Sequence, residues 1–239
     1  MSDWFEEWFG EEYLELYPHR DEREARRAAA SIARVAPVPP DARVLDLACG
    51  AGRHMGALAE HWWTVGLDLS PALLRVARSR HIASPLVRAD MRALPFRTAS
   101  FGLVVNLFTS FGYFRDDAQH QRVLDEVGRV TRPGGWFVLD YLNDAYVRAT
   151  LVPRDERCVG SRSVEQERDI TPDRRYVCKT IRLVDEARSF TERVRLFTPD
   201  ELRAMLTRAR FTVAHLFGDY GGESHDAAAP RTILVAERQ

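Results

Sequence analysis

Between residues 42 and 142, five short apolar runs are set apart by glycine turns and helix-patterned stretches. ARVLDLAC (42–49) reads as a buried strand, RHMGALAEH (53–61) as a helix and WTVGLDLS (63–70) as a second strand. PALLRVARSRH (71–81) is a helix with Ser70 as its cap and Pro71 at its first position. PLVRADM (85–91) and SFGLVVNLF (100–108) are the third and fourth strands. The helix predicted over 117–132 stops at Pro133-Gly134-Gly135, and WFVLDYL (136–142) is the fifth strand. Continuous apolar strands alternating with helices require a parallel sheet covered on both faces, with right-handed crossovers. The fold class is therefore α/β and doubly wound.

The flanks read differently. Residues 3–17 carry Trp4, Phe5, Trp8 and Phe9 on one face of a short amphipathic helix, with Gly10 as a break before Tyr13 and Tyr17. A second helix is predicted over 20–35, and Pro37-Val38-Pro39-Pro40 then acts as a stiff linker. From 155 to 197 three runs alternate like strands, at 157–170, 175–185 and 189–197. Their short joins make them antiparallel. Thr198-Pro199-Asp200-Glu201 opens a last helix, and 211–220 and 231–238 are two more strands. The chain thus divides into an N-terminal helical cap (1–40), an α/β domain (41–154 and 198–239) and an antiparallel β insertion (155–197) that serves as a cap or in dimerisation.

The 239 residues hold 34 Lys+Arg and 35 Asp+Glu, a formal net charge of −1. That balance argues against nucleic acid as the main partner. Lys179 is the sole lysine. Cys49, Cys158 and Cys178 show neither metal spacing nor a disulfide framework, so no metal is expected. No run reaches the roughly 20 apolar residues of a membrane helix, and the acidic start does not resemble a signal peptide. A cytoplasmic protein with no membrane partner is expected.

The decisive segment is Val44-Leu45-Asp46-Leu47-Ala48-Cys49-Gly50-Ala51-Gly52-Arg53, a strand, a glycine turn and a helix start. Glycine lets a ligand approach the backbone, and the helix start offers free N–H groups. Asp68, 18 residues past Gly50, ends the second strand, where a carboxylate can take both hydroxyls of a ribose. A dinucleotide site wants a third glycine where this chain has Met55, which weakens that reading.

This string resembles motif I of the class I S-adenosylmethionine-dependent methyltransferases. Further strings fit the resemblance in order: Asp68-Leu69, Ala89-Asp90-Met91, Asn106-Leu107-Phe108 and Arg132-Pro133-Gly134-Gly135. It covers about residues 40–142 and 198–238. It implies a Rossmann-like seven-stranded sheet of order 3-2-1-4-5-7-6 with the last strand antiparallel. It implies S-adenosyl-L-methionine as cofactor and S-adenosyl-L-homocysteine as product. By the same resemblance, Asp46, Ala48, Gly50 and Gly52 form the cofactor turn, and Asp68 and Leu69 take the ribose and flank the adenine. Asp90 and Met91 read the adenine, and Asn106 and Leu107 lie under the methionine part. Tyr13 and Tyr17 reach over from the N-terminal helices. Ala48 departs from the family's usual glycine, and NLFTSFGYF (106–114) lacks the motif of nucleic-acid base amino methylases.

Ligands of open α/β sheets bind at the carboxyl ends of the strands. Tyr113, Tyr141, Tyr220 and His225 are the acceptor-side candidates on that edge. His54, in the first turn of the helix after the glycine turn, is a candidate contact to the cofactor or a substrate, and His19 lies at the start of the second helix near Tyr13 and Tyr17. The insertion arginines, among them Arg157, Arg168 and Arg182, are interleaved with acids and read as a solvated mixed-charge face. The leading expectation is in-line methyl transfer to an oxygen or nitrogen of a small molecule. The alternatives are an RNA or protein methyltransferase and a cofactor-binding regulatory protein without turnover. A homodimer is compatible with either role of the insertion.

Overall fold

The computed structural model describes residues 3–17, 22–80 and 84–239. His19 and His81 lie outside the described residues. The main sheet holds β1 (Arg43–Leu47), β2 (Trp63–Asp68), β3 (Leu86–Arg88), β4 (Phe101–Asn106), β5 (Thr131–Leu142), β10 (Phe211–Phe217) and β11 (Arg231–Arg238). Their spatial order is β3-β2-β1-β4-β5-β11-β10. Strands β1 to β5 pair in parallel, and β11 runs antiparallel to both β5 and β10. With β10 and β11 counted as sixth and seventh, this is the expected order, and the fold is that of the Rossmann-like methyltransferases.

Period-two alternation divides the strand side chains between two cores. Val104, Phe137 and Leu139 pack with α6 (Asp117–Val130) and α8 (Pro199–Arg208). Leu103, Val105, Trp136 and Val138 face α3 (Glu22–Val35) and α4 (Arg53–Ala59) on the other side. Strands β1, β2 and β4 are covered on both faces, so their sequences read as unbroken apolar runs.

Local boundaries differ from the sequence reading where backbone geometry overrides pattern. Helix α6 stops at Val130 rather than 132, and Thr131 already pairs with Phe101. Arg132 to Gly135 form an irregularity inside β5, since pairing resumes at Leu103 with Trp136. The N-terminal run is two helices, α1 (Trp4–Trp8) and α2 (Glu11–Leu16), with Gly10 between. A helix absent from the sequence reading, α7 (Asp144–Thr150), follows β5; its cap Asn143 accepts from Ala145 N at 3.1 Å.

The insertion has four strands rather than three. The first run folds back at Gly160, with φ +62°, into β6 (Arg154–Val159) and β7 (Arg162–Ile170). With β8 (Tyr176–Leu183) and β9 (Arg188–Arg195) they form an antiparallel meander beginning at Arg154. One face buries Val164, Ile181 and Leu183 against Trp8, Tyr13 and Leu16. The two additions thus share an apolar cluster of their own.

Close packing of α6 on the end of α8 depends on Gly128: a Cβ there would lie 2.5 Å from the Ala209 carbonyl oxygen. Gly128→Ala is expected to destabilise the protein by about 1–3 kcal/mol. Urea unfolding of both forms measures it.

Candidate functional site

A cavity of about 1590 Å³ lies where the parallel strands end. Its floor begins at the turn after β1. Ala48, Gly50 and Gly52 all take left-handed backbone there, with φ of +58°, +54° and +77°. Asp68, at the end of β2, locks this turn. Its carboxylate accepts from Gly50 N and from Ser70 N, each at 2.8 Å. Burial raises the Asp68 pKa, and those two backbone bonds only partly oppose it. One bond per oxygen leaves a lone pair on each for a further donor.

Beside it, Asp90 meets Arg92 side by side, with Nη2 to Oδ2 at 2.6 Å. Partial burial pulls the Asp90 pKa up, but Arg92 outweighs it and holds the carboxyl below its ordinary range. Asp46 is deeper. Burial first, and the nearby Asp68 second, push its pKa from 3.8 up to about 8. Asp46 Oδ2 and Asn106 Oδ1 are buried without a hydrogen-bond partner among the described residues.

The turn after β4 forms the cavity's middle. Phe108 and Thr109 are both left-handed, each with φ +59°. Asp140, fully buried on β5, holds them: its Oδ2 accepts from Phe108 N at 2.7 Å and its carbonyl from Thr109 N at 3.1 Å. The same carboxylate takes Arg231 through both oxygens at 2.9 Å and the Tyr220 hydroxyl at 2.5 Å. Arg231 also reaches Glu24 at 2.9 Å, and Glu24 accepts from Arg53 at 2.8 Å. The two guanidiniums lie 4.4 and 5.1 Å from the Phe108 ring.

Aromatic rings of α1 and α2 close one side of the cavity, with Trp4 and Phe9 set 5.1 and 5.5 Å from the Tyr113 ring. The insertion sheet, packed against these helices, continues the wall with Arg168, Val177, Lys179, Glu192 and Val194.

Residues 44–135 match a family model described as a methyltransferase domain. A Streptomyces venezuelae dTDP-3-amino-3,4,6-trideoxy-alpha-D-glucopyranose N,N-dimethyltransferase is 30% identical over 206 residues, 80% of this chain and 84% of its own length. The chain belongs to the class I S-adenosylmethionine-dependent methyltransferases. Among solved structures, an S-adenosylmethionine-dependent methyltransferase from Clostridium acetobutylicum shares the fold at TM-score 0.80 and 16% identity, over 95% of this chain and 98% of that one. The sugar N-methyltransferase KedS8 from Streptoalloteichus is 25% identical with TM-score 0.71, over 96% and 94% of the two chains.

Many sequence-derived positions line the methyltransferase cavity. From the strand ends come Ala48, Gly50, Asp68 and Leu69, then Asp90, Met91 and Leu107. Tyr13, Tyr17, His54 and Tyr113 line it as well. Asp46, Gly52 and Asn106 stand behind this lining; Asn106 Nδ2 donates to the Leu47 carbonyl at 3.0 Å. Tyr141 reaches the cavity wall, but its hydroxyl is spent on the Arg195 carbonyl, and burial raises its pKa well above the ordinary value. Its placement is that of a packing ring. Tyr220 and His225 lie off the cavity. The Tyr220 hydroxyl serves Asp140, and His225 Nε2 sits 3.0 Å from Thr232 Oγ1.

Arg53, Phe108, Lys179, Glu192 and Arg231 line the cavity without having been singled out as site residues. Arg168 was assigned to a solvated face and is instead on the cavity wall. Arg53 and Phe108 end strings that carried the resemblance, and Lys179 stood out as the sole lysine.

The raised Asp46 pKa predicts a pH dependence. A carboxyl that holds its proton in the folded state favours folding below its unfolded pKa, and that contribution is lost as pH rises through the folded value. Stability contributed at this position should therefore fall between pH 3.8 and about 8. Asp46→Asn should gain stability relative to the parent at pH 8 and little at pH 4. Chemical denaturation at the two pH values checks it.

Proposed function

We propose that this methyltransferase transfers a methyl group to the nitrogen of an amino group carried by a small molecule. The likeness that carries the reading is to relatives matched over most of their length and named as sugar N-methyltransferases. The cavity supports it, since about 1590 Å³ under a two-part cover suits a cofactor and a small acceptor rather than a polymer. Residues 1–40 and 155–197 act in this reading as that cover.

The cavity residues fit S-adenosylmethionine. The spare lone pairs of Asp68 suit a ribose diol, and Asp90 suits the adenine amino group, with Leu69 and Met91 beside the ring. The unpaired acceptor Asn106 Oδ1 favours positive charge at the floor. When bound, the cofactor supplies an electrophilic methyl on a sulfonium. The protein's own part is orientation and exclusion of water. The Asp140–Arg231–Glu24 network holds the Phe108-Thr109 turn rigid beneath the acceptor. The rings of Trp4, Phe9, Tyr13 and Tyr113 close the cavity above it. A neutral amine needs no general base, so the reading asks for none.

A screen with methyl-labelled cofactor tests the reaction. Amino compounds should accept label at least tenfold faster than their hydroxyl analogues. Equal transfer to hydroxyls, or none to any amine despite cofactor binding, would overturn the assignment. For the site, Asp68→Ala should weaken S-adenosylhomocysteine binding at least tenfold in calorimetry, since two hydrogen bonds to a charged acceptor are lost.

A further inference from the structure

The insertion sheet places a row of charge on the cavity wall. Arg168 on β7 and Lys179 on β8 are register partners, and Glu192 on β9 is the partner of Lys179. Register partners in an antiparallel pair project from one face. All three line the cavity. Two like charges placed opposite each other destabilise a sheet, and more so away from water. The Arg168 and Lys179 side chains are only 21% and 18% exposed.

A third cation joins them. The Arg157 guanidinium and Lys179 Nζ lie 4.8 and 5.0 Å from the same Tyr17 ring. Arg157 donates through Nη2 to the Leu16 carbonyl at 3.2 Å, and its Nε is buried with no hydrogen-bond partner among the described residues. The opposing charge is thin. Glu192 sits 3.6 Å from Lys179 and also accepts from Trp8 Nε1 at 2.7 Å. Asp155 pairs with Arg168 at 2.9 Å, but it is 44% exposed and partly screened. Burial lowers the Lys179 pKa against the pull of Glu192, and Arg168 and Arg157 add to the lowering.

We propose that this end of the cavity is a subsite for an anionic group of the acceptor, a phosphate or a carboxylate, received by Lys179 and Arg168. The inference deepens the small-molecule reading above and rests on it. Lys179 has three donors, of which two meet Tyr17 and Glu192. Arg168 directs Nη1 at Asp155 and at the Val152 carbonyl and Nη2 at Gln166, which leaves its Nε–H and one Nη2–H for an oxyanion. An anchor at this wall would fix the far end of the acceptor and so aim its amino group at the strand ends. Relief of the cation–cation repulsion would make the binding favourable.

Calorimetric titration of inorganic pyrophosphate and of malonate, with and without saturating S-adenosylhomocysteine, tests the subsite. Saturable binding of at least one anion is expected, and the tighter of the two identifies phosphate or carboxylate as the source. Lys179→Met and Arg168→Gln should each weaken it at least fivefold. Glu192→Gln, which removes the competing carboxylate and leaves an acceptor for Trp8, should tighten it at least threefold. A merely structural role for the row would not move the affinity in opposite directions. Absence of saturable binding of either anion overturns the proposal. So does an affinity that the Lys179 and Glu192 variants leave unchanged. Failure of S-adenosylhomocysteine to bind would instead sink the cofactor site, and failure of the amine screen would sink the acceptor class. Neither affects the anion titration.

Discussion

The buried Asp140–Arg231 ion pair ties the methyltransferase together at the cavity edge of its sheet, where β5 ends and β11 begins. A carboxylate taken out of water is costly unless its lone pairs are filled. Asp140 fills them with Arg231 Nη1, which bridges both its oxygens, the Tyr220 hydroxyl and the Phe108 amide. That arrangement fixes two successive left-handed residues, which cost about 1–2 kcal/mol each outside glycine. Burial and Asp140 both raise the Tyr220 pKa, so its hydroxyl stays protonated and available as a donor. Through Arg231 the pair extends to Glu24 on α3 and from there to Arg53 at the start of α4. The end of β4, the helix after the glycine turn, the last strand and an N-terminal helix therefore share one network.

The additions obey a different constraint. Neither the short helices α1 and α2 nor the four-stranded meander has a core large enough to stand alone. They bury Trp8, Tyr13, Leu16, Val164, Ile181 and Leu183 against each other. Their edges are joined by Arg162 and Arg188, both paired to Glu12 at 2.7 and 2.6 Å. The result is one cover built from two distant stretches of chain. Its two faces differ in chemistry although the sequence mixes them. Arg182 and Glu167 pair at 2.9 Å on the solvent side, whereas Arg168 and Lys179 turn inward.

The sheet order, the glycine turn and the cavity positions of Asp68 and Asp90 were readable because parallel strands buried twice leave apolar runs, and their ends are marked by Gly and Asp. The hairpin at Gly160 was missed because its strands carry charges on both faces and show no apolar period. Helix α7 was missed because none of its seven residues is buried, so no apolar face marks it in the sequence. The Arg132–Gly135 segment was read as a turn, yet it lies within β5 as an irregular stretch, since pairing with β4 continues on both sides. Tyr220 and His225 were placed on the correct edge of the sheet, but hydrogen bonds to Asp140 and Thr232 occupy them away from the cavity.

By itself the sequence determined the α/β core and the class of cofactor it serves. Both depend on patterns only a few residues long, which local backbone preferences and strand periodicity enforce. The tertiary structure alone decided which side chains of the additions line the cavity. Lys179 meets Tyr17 across 162 residues of chain, and Arg231 meets Glu24 across 207. Such contacts arise from packing of separate elements, and no local pattern of residues encodes them.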